Sequence, residues 1–364
     1  MTFSIKRVVT SIFMTVVSSI VLYLANLFVS GLLEMINASA GSLMGGSSSR
    51  RKTFNGYETQ IAQNIVQPGD ISERLDNIGG LAVIKDAIRT QVLMPLKHAK
   101  IFFGTVKALH PPRGILLHGP PGTGKTMLAR AIAAEAGCPF LSLTLSNLEN
   151  KFFGESSKLL SATFTLARKM QPCVIFFDEI DGMIRTRSDH DQSCVYGFKT
   201  EFLTHMDGIS TKKSDAVIVI GCTNCAEKLD PAVKRRLPQQ YKVDLPSEDE
   251  MADIFALNLK DSLISRSQLE QIAKRVAPGV SGSDIHDVVQ TAWSIHLSSA
   301  FKTPGFSARL EDENTTAEDI QRVIGTLSES HILSALEKTG RLKTVDDEGG
   351  DGSDDDEGPP PSET

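Results

Sequence analysis

Between Gly119 and Thr126 the chain reads Gly-Pro-Pro-Gly-Thr-Gly-Lys-Thr, which fits the spacing G-x-x-x-x-G-K-T. Glycines at these positions let backbone N–H groups converge on phosphate oxygens with no Cβ in the way. Lys125 has the reach to contact β- and γ-phosphates, and the Thr126 hydroxyl can ligate Mg²⁺. The apolar run Ile115-Leu116-Leu117 precedes the loop, the helix-forming stretch Met127–Ala136 follows it, and Gly137 is placed to end that helix. A helix starting there adds positive potential at its N-terminus. The expected phosphate cradle is Gly119, Pro120, Pro121, Gly122, Thr123, Gly124, Lys125 and Thr126, with Met127 at its edge.

A second apolar run, Val174-Ile175-Phe176-Phe177, ends in Asp178-Glu179. Asp178 suits a Mg²⁺ ligand, direct or through water. Glu179 suits the group that orients and polarises an attacking water, a general base. A third run, Val217-Ile218-Val219-Ile220, leads to Thr223-Asn224, where Asn224 can reach a terminal phosphate or the lytic water. Asp230 and Pro231 then have the types for an N-cap and a first helical position, so a short helix carries Arg235-Arg236 at its end. Arginine supplied across an interface stabilises charge on a transferring phosphoryl group.

These groups need a scaffold that brings strand ends together. Short apolar runs alternating with helical stretches from about Asp76 predict an α/β domain on a parallel sheet. Beyond Ser247 the pattern changes to amphipathic helices. The expected organisation is an N-terminal transmembrane anchor over 1–33, a flexible linker over 34–69, a large α/β domain over 70–246, a small helical lid over 247–342 and an acidic disordered tail over 343–364. Val8–Leu33 is 26 residues with no charged side chain, and about 20 apolar residues in a helix cross a bilayer core. Its length favours an anchor over a cleaved leader, whose apolar region is roughly 7–15 residues, although Ala38-Ser39-Ala40 resembles a cleavage site. The spacer that follows is rich in Ser and Gly, and its Arg50-Arg51-Lys52 can touch anionic lipid headgroups. Basic residues flank the span on both sides, so charge does not set its orientation.

Hydrophobic residues at 41% and charged residues at 23% exclude a wholly disordered or fibrous chain. The net charge of −6 is unevenly placed: residues 346–364 hold nine acidic side chains and no basic one, which leaves 1–345 at +3. That balance offers no electrostatic case for nucleic acid. Five scattered cysteines do not form a secreted disulfide framework. Cys222 and Cys225 have a C-x-x-C spacing but bracket Asn224 at a strand end and have no second pair, so the spacing reads as chance. The eight histidines show no H-E-x-x-H and no close cluster, which excludes a built-in zinc protease and leaves nucleotide-bound Mg²⁺ as the expected metal.

In order, Asp76-Asn77-Ile78-Gly79-Gly80-Leu81, the phosphate loop, Asp178-Glu179-Ile180-Asp181, Asn224, Arg235-Arg236 and Gly282-Ser283-Asp284 resemble the AAA family of P-loop ATPases over about residues 70–340. The resemblance implies that Ile78 and Gly79 lie against adenine, with Gly282 and Ser283 in the adenine-side turn. It makes Asn224 a sensor of the γ-phosphate and puts Arg235 and Arg236 on the neighbouring subunit's nucleotide, so the active form would be a homo-hexameric ring hydrolysing ATP with Mg²⁺. Lys151-Phe152-Phe153-Gly154 falls at the family's first pore loop, and a polar second loop at about Arg187–Gln192. Aromatics there would grip an extended polypeptide, because they bury large area with little entropy loss and no sequence code.

Within the family, Lys151–Ser156, Gln171-Pro172-Cys173, Arg235–Pro238 and the anchor-then-ATPase layout look like the subgroup that extracts mislocalised tail-anchored proteins from the outer mitochondrial membrane and also occurs on peroxisomes. That likeness implies a single-pass protein with its ATPase domain in the cytosol, threading membrane clients through the pore. Phe152-Phe153 departs from a frequent Trp-Tyr, and Cys225 from a frequent arginine. A microtubule-severing ATPase is the main alternative, but the stretch from Leu33 to Ile71 leaves no room for its helical targeting domain. An endosomal membrane-scission ATPase would lack Val8–Leu33, and a nucleotide-gated scaffold would not need Glu179 and Arg235-Arg236.

Overall fold

The computed structural model describes residues 54–98, 101–102, 112–144, 156–184, 193–211, 215–260, 262, 264–301 and 326–343. The expected anchor Val8–Leu33, the pore loops Lys151–Gly154 and Arg187–Gln192, and the acidic tail beyond Lys343 lie outside the described residues. Among the described residues no helix is long and apolar enough to cross a membrane.

Six strands form one sheet: β1 (Ile65–Val66), β2 (Gly114–His118), β3 (Phe140–Leu143), β4 (Cys173–Phe177), β5 (Val217–Thr223) and β6 (Gln239–Lys242). Their order is β1-β3-β4-β5-β2-β6. The pairs β3–β4, β4–β5, β5–β2 and β2–β6 are parallel. Strands buried on both faces read as unbroken apolar runs, which is why the run residues of β2, β4 and β5 stand out in the sequence. Alternate side chains split between the two faces: Leu116, Ile175, Phe177 and Val219 join one core cluster, and Ile115, Leu117, Val174, Phe176, Ile218 and Ile220 the other. The helices Ser156–Lys169 and Ser193–Thr211 cover the first face, and Lys125–Ala136 covers the second.

The sheet is mixed rather than wholly parallel, because β1 pairs antiparallel with β3 at one edge. That strand and the helix Gly56–Ala62 before it fall in the stretch expected as flexible linker, which is corrected from Phe54 onward. Asn55 and Glu58 form a reciprocal capping box. Ile61 then enters the core and Tyr57 packs against it, one helical turn apart. Glu58 is fully buried and paired with Lys169 at 2.7 Å. The apolar content of this helix is too small to signal by composition.

A third cluster gathers the helices Glu248–Asn258, Arg266–Lys274, Gly282–Phe301 and Glu329–Lys338. The chain closes on itself through a bridge between Val276 and Leu342. His296 and His331 meet here, Nδ1 to Nε2 at 3.4 Å. The pair is 35 positions apart in sequence, so only helix packing joins it.

Candidate active site

Parallel β2, β4 and β5 are neighbours, so their carboxyl ends emerge on one edge of the sheet. Gly119 follows β2, Asp178 follows β4 and Asn224 follows β5. β2 connects onward to β3 on one side and its neighbour β5 connects across it to β6 on the other, so a switch point lies between β2 and β5. Such a switch point is where open α/β sheets bind ligands. The cleft above it holds about 710 Å³. Ile78, Gly79, Pro121, Gly122, Thr123, Gly124, Lys125, Thr126, Met127, Asp178, Glu179, Asn224, Gly282 and Ser283 all line it.

The loop geometry suits an anion. Gly119, Gly122 and Gly124 have φ of +145°, +76° and +89°. A side chain on Gly119 would run into the Val243 carbonyl. Gly124 caps the helix Lys125–Ala136 with no side-chain hydrogen bond, so its first-turn N–H groups have no side-chain acceptor. Lys125 is 7% exposed, and its Nζ donates to the carbonyls of Gly119 at 2.9 Å and Pro120 at 2.5 Å. Burial pushes this ammonium below its ordinary value, and the charge of Asp178 opposes the shift.

Thr126 Oγ1 donates to Asp178 Oδ2 at 3.2 Å. A hydroxyl and a carboxylate side by side are the hard oxygen donors that Mg²⁺ takes. Glu179 is exposed, left-handed at φ +48°, and its N–H donates to Asp178 Oδ1 at 3.1 Å. This sharp turn lifts the Glu179 side chain off the strand line and into the cleft. Beneath it, Thr223 Oγ1 donates to Asp181 Oδ1 at 2.6 Å and accepts from the Cys225 N–H at 3.0 Å, which shapes the turn carrying Asn224. Cys222 is a free thiol buried in β5, pushed well above its ordinary value by burial.

Asp230 caps the helix Pro231–Arg236, accepting from Ala232 N–H at 2.7 Å, with Pro231 in the first turn. Arg235 is exposed and Arg236 pairs with Asp207 through two hydrogen bonds of 3.0 Å. Neither arginine lines the cleft of its own chain. Lys151, Phe152, Phe153 and Gly154 lie outside the described residues.

Several lining residues carry no signal in the sequence: Ile254, Leu257, Asn258 and Lys260 from one lid helix and its end, and His286 from another. The spacing 254, 257, 258 marks one helix face, and His286 lies one turn beyond Gly282. That face could have been flagged, but not what it faces. His286 Nδ1 and Asn258 Oδ1 are 3.0 Å apart.

The matching family is the "ATPase family associated with various cellular activities (AAA)", over residues 115–245. The chain is 36% identical over 277 residues to the human "Outer mitochondrial transmembrane helix translocase", covering 75% of this chain and 76% of the relative. The chain belongs to the AAA ATPases. A Caenorhabditis elegans relative, "Mitochondrial sorting homolog", is 38% identical over 244 residues, 67% of this chain and 70% of its own. Among solved structures, the FIGL-1 AAA domain in complex with ADP superposes with a TM-score of 0.62 at 28% identity, over 80% of this chain and 92% of that one. As an AAA ATPase, the chain binds and hydrolyses ATP.

The phosphate loop of this AAA ATPase rests on its lid. Gly122 O accepts from Ser283 N–H at 3.0 Å, and Ser281 Oγ lies 2.5 Å from where a Cβ on Gly122 would sit. Asp284 holds Ser281 in place at 2.6 Å and is itself held by Arg341 at 2.5 Å. Gly122→Ala therefore meets a left-handed backbone and a lid serine at once. It is expected to lower the thermal midpoint by the equivalent of about 1–3 kcal/mol and to weaken ATP binding. Parent-like stability and affinity together would show that loop and lid separate freely.

Proposed function

We propose that this AAA ATPase is a membrane-anchored translocase that extracts mislocalised tail-anchored proteins from the outer mitochondrial or peroxisomal membrane. In this reading it acts as a homo-hexamer with its ATPase domain in the cytosol. The observation that carries the reading is the alignment of three-quarters of the chain with relatives named outer mitochondrial transmembrane helix translocase. The uncharged stretch Val8–Leu33 ahead of the ATPase supports the anchor. The microtubule-severing alternative is not better supported: the likeness to the FIGL-1 AAA domain is at 28% identity, against 36% for the translocase relatives.

The chemistry follows from the cleft. The glycine loop and helix N-terminus bind the phosphates, and Lys125 exchanges its carbonyl partners for β- and γ-oxygens. Thr126 and Asp178 would hold Mg²⁺, which neutralises phosphate charge when bound. Glu179 orients a water and accepts its proton, while Asn224 positions the terminal phosphate. Arg235 and Arg236, which do not line their own cleft, serve the neighbouring subunit's nucleotide. Ile78, Gly79, Gly282 and Ser283 hold the base side. Phe152 and Phe153, between Lys151 and Gly154, pack against the client backbone in the pore.

The test uses the full-length chain in vesicles carrying a fluorescent tail-anchored protein. ATP is expected to drive release of that client. Phe152→Ala with Phe153→Ala is expected to keep ATP hydrolysis within a few-fold of the parent and to abolish release. Normal release by the double variant removes the gripping role, and no release by the parent removes the extraction reading.

A further inference from the structure

We propose that Glu250 is a positioning residue for the nucleotide, tying the lid to the turn that forms one wall of the cleft. That turn runs from Asn77 to Leu81, and Asn77, Ile78 and Gly79 line the cleft. It is held in an uncommon shape: Gly80 and Leu81 are both left-handed, at φ +63° and +57°. For leucine this conformation is unfavourable and persists only where neighbours impose it.

The neighbour that imposes it is Glu250. Its Oε1 accepts the Leu81 N–H at 2.7 Å. Its Oε2 accepts the Ser247 N–H at 3.0 Å, within the capping box that starts the lid helix Glu248–Asn258. One carboxylate thus satisfies two backbone donors from two parts of the fold, 169 positions apart for the Leu81 bond. The packing agrees: a Cβ on Gly80 would lie 2.7 Å from Glu250 Cγ, and one on Gly79 would lie 2.9 Å from Ile254 Cα. From the body side, Lys85 Nζ donates to the Ile78 carbonyl. The turn is therefore pinned at Ile78 by its own domain and at Leu81 by the lid.

The consequence is directional. The same lid helix presents Ile254, Leu257 and Asn258 to the cleft. Glu250 fixes that helix at a set height against the opposing wall, so the width of the cleft on the Ile78–Gly79 side depends on its two hydrogen bonds. Among the described residues Glu250 makes no hydrogen bond to the phosphate loop, Asp178 or Glu179, whose partners are other residues, and the Gly122–Ser283 bond that ties the loop to the lid lies on a different lid helix. Glu250 should then govern how tightly nucleotide is held and not how fast bound nucleotide reacts.

Glu250→Gln tests this without changing side-chain size. One amide oxygen serves only one of the two N–H groups, and the amide nitrogen faces the other as a second donor. Ser247→Ala is the control: it removes the hydroxyl half of the capping box but leaves the backbone N–H that Glu250 bridges. Steady-state hydrolysis, equilibrium ATP binding and thermal unfolding are measured on the full chain. Glu250→Gln is expected to raise KM and Kd for ATP about tenfold with kcat within twofold of the parent. Ser247→Ala is expected to lower the thermal midpoint and bind ATP as the parent does. Parent-like binding by Glu250→Gln overturns the proposal. So does an equal loss of affinity in both variants, which would reduce Glu250 to a helix cap, or a fall in kcat at constant KM.

Discussion

Glu179→Gln is expected to bind ATP with near-parent affinity and to hydrolyse it at least about 100-fold more slowly. Glutamine has the volume and length to keep the left-handed turn at φ +48° and its N–H bond to Asp178. It cannot accept a proton from water at neutral pH. The phosphate loop lies on a different strand end and loses nothing, so binding and chemistry should separate. Phosphate release and equilibrium nucleotide binding, measured on the same preparation, check the two halves. Hydrolysis at the parent rate would falsify the assignment of the base. Weak binding with slow hydrolysis would instead place Glu179 in the cradle.

Lys125→Ala is the opposite case and should fail at the first step. The ammonium is nearly buried and is satisfied by the carbonyls of Gly119 and Pro120. A buried cation needs partners, and phosphate oxygens offer stronger ones than neutral carbonyls because the bonds are charge-assisted. Hydrogen bonds to charged groups contribute roughly 1.5–3 kcal/mol each, so losing the Lys125 contacts should weaken ATP binding about 10–100-fold or more. The readout is the thermal midpoint with and without ATP. Ligand that binds only the folded state raises the midpoint, so the parent should shift and Lys125→Ala should not. A full ATP-dependent shift in the variant would mean that the glycine loop and helix N-terminus suffice alone.

Much of this site is legible in the amino-acid order, because its parts are contiguous. A glycine loop, a lysine and a helix start need only local spacing to specify backbone geometry, and Gly119–Thr126 supplies it. The strand-end position of Asp178-Glu179 and Asn224 is readable for a related reason: buried parallel strands are short apolar runs, and the polar residue that ends each run stands at the sheet edge. Asp230 and Pro231 announce their helix by chemistry that acts within one turn. The acidic tail and the uncharged stretch Val8–Leu33 are likewise properties of composition alone.

What composition and spacing do not reach are relations between distant segments. The helix Gly56–Ala62 and β1 look like linker because their few apolar residues have value only against β3 and the helix Ser156–Lys169. Asn258, Lys260 and His286 carry no motif, and they become lining residues only because the lid folds over the phosphate loop. One oxygen of Glu250 caps the start of its own helix, a local role. The other reaches Leu81. A side chain's local bonds are set by its neighbours along the chain, but a carboxylate has two oxygens, and where the second one goes depends on which wall the tertiary fold brings up against it.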